Sequence, residues 1–136
     1  MQYWLVKTEP EEFSFDQLLI DGKVLWDGVR NYQARNNLKK MKKGDLVFIY
    51  HSGKSKEIVG ISEVFKEYYP EPLDDSGLWV VVELKPVKRL NNSITLKQIK
   101  NEKPLVNMSL LKQSRLSVMS VSDLEYFFIN KLSNKK

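Results

Sequence analysis

One tryptophan, two arginines, three asparagines and a tyrosine fall within LWDGVRNYQARNNLKKM, the stretch from Leu25 to Met41. Amide and guanidinium groups must be hydrogen-bonded where they are buried, so this density of them is unusual for a simple core element. A polar, planar partner fits the chemistry: Trp26 and Tyr32 offer aromatic surface, and Asn31 carries both an acceptor and donors. The competing reading is an amphipathic packing role for Trp26 with its N–H bonded locally.

Other chemistries find less material. His51 has the only unperturbed pKa near neutrality, so an acid–base role with Asp27 or Glu9 has to be weighed against a structural or pocket-lining one. The chain has no cysteine and a single histidine, which removes thiolate zinc sites, disulfides and histidine-rich metal centres. It also lacks a nucleophile elbow and a glycine-rich phosphate loop. A non-enzymatic protein without cofactor or metal is expected.

The elements that position these residues follow from pattern. YWLVK, Tyr3 to Lys7, reads as a first strand stopped at Thr8-Glu9-Pro10, because proline removes a ladder donor. Ser14 and Gln17 have capping-box spacing, with Phe13 and Leu18 as a hydrophobic staple, for a helix from Phe15 to Ile20 closed at Gly22. Asp27-Gly28 signals a turn. Ala34, Leu38 and Met41 then recur at helical spacing as a packing stripe, and Arg35, Lys39 and Lys42 line another face.

Leu46 to Ser52 is a short apolar run rich in aromatic and β-branched residues, hence a buried strand. A hairpin returns it as Ile58 to Tyr68, with Gly60 at a bulge or close approach. The segment from Pro70 to Gly77 is a surface loop, and Leu78 to Leu84 is a further central strand. Thr95 with Gln98 caps a short helix, Leu116 to Met119 closes the sheet, and Ser122 with Glu125 opens a last helix that turns Leu124, Phe127, Phe128 and Leu132 inward.

About five strands with short capped helices give an α+β domain built on a small curved sheet or barrel. Residues 1–132 are expected to form this single domain, with 133–136 a frayed basic tail. The net charge of +5 suits a polyanionic partner, although lysine excess is also common on soluble surfaces. No run of about 18 apolar residues occurs, so a soluble cytoplasmic monomer with no membrane partner is expected.

Four segments, YWLVKTEP, WDGVRNYQARNNLKKMKKGDLVFIYHS, IVGISEV and QSRLSV, together resemble the EVE domain, the module of the thymocyte nuclear protein family. The resemblance runs from Tyr3 to about Phe128 in matching order. It implies a PUA-like fold, a compact mixed β-barrel of about five or six strands with peripheral helices, related to the YTH domains. It also implies a reader of modified bases in DNA or RNA, with 5-methylcytosine and its oxidised forms the usual candidates.

A base reader needs an aromatic wall, groups for the base edge and room for the added methyl, and it must extract the base from its stack. Under the resemblance, Trp26, Asn31, Tyr32, Lys7, Thr8, Glu9 and His51 build the pocket, with Arg115, Leu116 and Ser117 as a second wall. Arg30, Arg35, Asn36, Lys39 and Lys42, with Lys43 beside them, face the nucleic-acid backbone. The rival is a PUA-type binder of tRNA or rRNA shape without base selectivity, in which Trp26 only packs; for Lys7-Thr8-Glu9 the alternative is a capped strand exit with Lys7 solvated.

Overall fold

The first strand, β1 (Tyr3–Thr8), and the third, β3 (Leu46–His51), lie side by side in parallel, so that Thr8 and His51 end at the same level. The computed structural model describes residues 1–135. Between the two strands the chain forms α1 (Phe15–Asp21), the short β2 (Val24–Trp26) and α2 (Tyr32–Lys40). After them come β4 (Glu57–Pro70), β5 (Val80–Thr95), α3 (Leu96–Lys100), a 3-10 turn (Lys103–Leu105), α4 (Ser109–Lys112), β6 (Val118–Val121) and α5 (Asp123–Ser133). The sheet runs β2-β5-β4-β3-β1-β6, antiparallel everywhere except β1 against β3.

Among the described residues six strands therefore form a mixed sheet with five short helices, and the ladder ends at β2 and β6 without closing into a barrel. Curvature comes instead from β4 and β5, whose pairing shifts register at four places, since each bulge bends the strand and increases its twist. Continuous pairing with β4 also explains why β5 runs on to Thr95, opposite Glu57, and does not stop at Leu84. The closing strand begins at Val118, two residues beyond the expected start, because Leu116 N–H turns back to the Gln113 carbonyl.

Local signals set the helices. Thr95 with Gln98 and Ser122 with Glu125 form reciprocal capping boxes. Ser14 makes only half of one: it accepts from Gln17 N–H, while the Gln17 amide donates to Asp21 at 2.8 Å. Ala34, Leu38 and Met41 are fully buried, as their spacing predicts. The last helix is rotated from expectation, burying Tyr126 and Ile129 while Leu124 and Phe127 are 61% and 60% exposed. Tyr126 determines that rotation by stacking on Tyr3 and Phe48, at centroid distances of 4.0 and 5.0 Å.

The expected fray at 133–136 is also revised. Ser133 is the last residue of α5 and is 2% exposed, and Asn92 Nδ2 donates to the carbonyls of Ser133 and Lys135. Lys136 lies outside the described residues. On the other side of the sheet Trp4 is core, its Nε1–H donating to the buried Asp45 carboxylate at 3.0 Å.

Candidate functional site

The turn from Asp27 to Asn31 is held at both ends. Gly28 sits at φ 77, left-handed backbone that L side chains rarely adopt, and its N–H donates to Glu71 Oε1 at 2.8 Å. Glu71 also accepts from both terminal nitrogens of Arg30, at 3.1 and 2.5 Å. The Arg30 guanidinium holds the buried Glu71 carboxyl below the usual carboxylate range, and Glu71 in turn raises Arg30. At the far end the Asn31 amide oxygen caps α2 by accepting from Ala34 N–H at 2.9 Å.

This turn, the edge strand β2 and the end of β1 enclose a cavity of about 660 Å³. Lys7, Thr8 and Glu9 line it from β1, Glu12 and Phe13 from the turn that follows, and Val24, Leu25 and Trp26 from β2. Asp27, Gly28, Val29 and Arg30 form the rim, with Ser52 and Ser117 opposite. Backbone bonds bring the last two in: Ser52 N–H donates to the Thr8 carbonyl at 3.0 Å, and Lys7 N–H to the Ser117 carbonyl at 2.9 Å.

Lys7 Nζ donates to the Ser114 carbonyl at 2.8 Å and, among the described residues, pairs with no carboxylate. Burial pushes its amine below the usual lysine range. The Thr8 hydroxyl donates to the Phe13 carbonyl at 2.8 Å, which fixes Phe13 edge-on against Trp26, with centroids 6.1 Å apart at 86°. Trp26 itself is 8% exposed.

Of the residues expected in a pocket, the cavity gathers Trp26, Lys7, Thr8, Glu9 and Ser117, and it adds Arg30 from the set expected on the backbone side. Asn31, Tyr32, His51, Arg115 and Leu116 do not line it. Asn31 is spent as a helix cap, Leu116 is buried in the core, and Arg115 is exposed. His51 Nε2 accepts from Phe15 N–H at 3.1 Å, tying β3 to the start of α1, and burial pushes its imidazole below the usual value. That bond leaves Nε2 unprotonated and engaged.

Tyr32 instead stacks on Trp79, with centroids 5.2 Å apart, beside the cavity. Arg35 lies 4.9 Å over Tyr32 and Arg30 lies 5.4 Å over Trp79, giving a column of alternating cationic and aromatic character. Asn36 accepts from Arg35, and Arg35 Nη1 also reaches the Leu78 carbonyl at 3.2 Å. Lys39 lies 5.8 Å over Tyr68, whereas the Lys42 and Lys43 backbone N–H groups donate to Asp45 and Glu67. Among the described residues no cluster of three potential metal ligands occurs.

Sequence pattern missed Glu71 and assigned Phe13 only to a staple. Glu71 stands 43 residues from Gly28 inside an acidic, proline-rich loop, so no local spacing reports the contact. Phe13 carried a signal, an aromatic at a helix entrance, and the partner it meets is on another element.

An open mixed sheet that presents a tryptophan-lined cavity beside a cationic helix defines a small α+β binding domain. Its matching family model is that of the EVE domain, over residues 2–132. The chain belongs to the EVE domain family. Human thymocyte nuclear protein 1 is 33% identical over 168 aligned residues, covering 98% of this chain and 75% of the relative. An NMR structure of Rpa0253 from Rhodopseudomonas palustris is 44% identical with a TM-score of 0.93, covering 98% of this chain and 93% of that one.

The crystal structure of human THYN1 in complex with DNA containing 5-methylcytosine is 32% identical with a TM-score of 0.93, covering 100% of this chain and 99% of that one. These likenesses agree with a PUA-like fold whose sheet is open in this chain.

Proposed function

We propose that this domain is a non-enzymatic reader that accepts a single modified base, such as 5-methylcytosine, from DNA into the cavity beside Trp26. The carrying observation is the cavity of about 660 Å³, within the range of about 300–1,000 Å³ typical of small-ligand sites, in a chain of the same fold as a human protein bound to methylated DNA. The turn that forms its rim is pre-organised by Glu71 and by the Asn31 cap, so little ordering has to accompany binding. Lys7, Thr8, Glu9 and Ser117 supply polar groups for a base edge, and Arg35, Asn36 and Lys39 lie outside as contacts for the flanking backbone.

Engagement of His51 by Phe15 N–H argues against its use as a base, which favours binding without turnover. The sheet and its helices, through Ser133, act as one unit in this reading, the chain works as a monomer inside the cell, and RNA is the competing polymer. Titration of the full chain with matched DNA oligonucleotides, methylated and unmethylated at one cytosine, checks the reading. Several-fold tighter binding of the methylated one is expected; equal affinity for both, or tighter binding to unmodified RNA, would overturn it.

A further inference from the structure

Only 8% of Trp26 is exposed, which for a tryptophan is on the order of 20 Å² and too little to offer a whole ring face to a stacked base. Phe13 sets its own edge against the indole, with the two rings at 86°. What Trp26 retains is a donor. Among the described residues its Nε1–H has no partner, in contrast to Trp4, whose Nε1–H is bonded to Asp45. No polar side-chain atom sealed from solvent is left unpaired among those residues, so the Trp26 N–H keeps access to solvent, and Trp26 is one of the residues that line the cavity. A tryptophan used only for packing normally bonds its N–H within the protein.

The second donor is Lys7. One of its three N–H groups goes to the Ser114 carbonyl at 2.8 Å, leaving two for a ligand in the cavity it lines. Glu9, Glu12 and Asp27 line the same cavity, and as carboxylates they can only accept.

We infer that the cavity takes a base through two adjacent hydrogen-bond acceptors, with the Trp26 indole N–H and the Lys7 ammonium as the donors, so that Trp26 reads an edge and does not stack. The inference rests on the base-capturing reading above and narrows its ligand class. A cytosine ring presents O2 and N3 side by side as acceptors, followed by an exocyclic amino group that a carboxylate accepts. Thymine carries the same methyl at C5 but has an N3–H between its two carbonyls, which meets a donor with a donor. A site that hydrogen-bonds one edge rejects the mismatched one far better than a shape-selective apolar pocket does, because its buried groups are left unpaired. The site therefore selects methylated cytosine over thymine.

The test follows the three tryptophan indole N–H signals of the full chain by nitrogen-edited NMR during titration. The probes are single-stranded DNA oligonucleotides carrying one 5-methylcytosine or, at that position, thymine. The Trp26 indole proton is expected to shift and to exchange more slowly with water on binding the methylcytosine strand, while Trp4, already bonded to Asp45, stays as reference. The thymine strand should bind about tenfold more weakly, and Trp26→Phe, which keeps an aromatic ring but no donor, should lose about tenfold for methylcytosine.

An unmoved Trp26 indole with tight methylcytosine binding would overturn the donor role while leaving base capture standing. So would a folded Trp26→Phe chain of unchanged affinity, or equal affinity for the two strands. If the wild-type chain binds neither strand, base capture fails and the donor role falls with it. The wild-type indole signal reads the outcome even where Trp26→Phe does not fold.

Discussion

Arg30 and Glu71 meet as a two-point ion pair, Nη1 to Oε1 at 3.1 Å and Nη2 to Oε2 at 2.5 Å, joining the cavity rim to the loop before β5. Glu71 is 8% exposed and its carboxylate also accepts from Gly28, so its removal takes the partner from the Gly28 N–H and frees the rim at once. Hydrogen bonds to charged groups contribute about 1.5–3 kcal/mol, and half of the Arg30 side chain remains in water. Glu71→Ala should therefore destabilise the chain by about 2 kcal/mol in urea unfolding and weaken binding of methylated DNA; wild-type values for both would show that the clamp is idle.

Acid should act on the fold through two groups. Burial lowers the His51 pKa from the free value of 6.5, so between its folded value and 6.5 the unfolded chain binds more protons. Its contribution is full above 6.5 and is lost as pH falls through that window, because a protonated Nε2 no longer accepts from Phe15 N–H. Glu71, lowered from 4.5 by Arg30, contributes fully above 4.5 and loses that contribution as pH falls through its folded value. Unfolding free energy measured against pH should slope downward below 6.5 in the wild type and more weakly in His51→Ala; parallel curves would refute the assignment.

Gly60 should tolerate no side chain. A Cβ at this position would overlap the Phe15 ring, and Phe15 is fully buried, so the ring has nowhere to retreat. Overpacking of this kind costs about 1–3 kcal/mol, and Gly60→Ala should fall at the upper end of that range. Adding Phe15→Leu, which shortens the opposing group, should make the two effects strongly non-additive in thermal unfolding. Simple additivity would mean that the two sites do not meet.

Charge outside the cavity should affect polymer and not monomer. Lys39 lies over Tyr68 on the exposed side of α2, away from the cavity lining. Lys39→Ala should reduce the magnitude of the logarithmic salt slope for duplex DNA by about 0.9 if it neutralises one phosphate. Affinity for free 5-methyldeoxycytidine should stay at the wild-type value. An unchanged slope would remove Lys39 from the binding face.

Much of this architecture is legible in the chain because its signals are local. Ser122 with Glu125 and Thr95 with Gln98 lie within one turn of the helices they open, and Ala34, Leu38 and Met41 repeat at the helical period. Those residues, and a polar run at a strand end at Lys7-Thr8-Glu9, required nothing from the rest of the molecule. β2 escaped notice because three residues carry almost no periodicity and owe their conformation to pairing with β5.

The inward face of α5 was likewise decided by Tyr126 stacking on Tyr3 and Phe48, which local helix periodicity does not report. The site divides along the same line. Sequence alone put Trp26 in a polar turn beside a cationic helix, since composition and spacing are properties of the chain. Only the tertiary structure brought Glu71 to Gly28 and Arg30, moved Tyr32 onto Trp79, and covered most of the Trp26 ring. Each of these depends on contacts between different elements, 13 to 47 positions apart in the chain, whose partners are set by how the sheet curls.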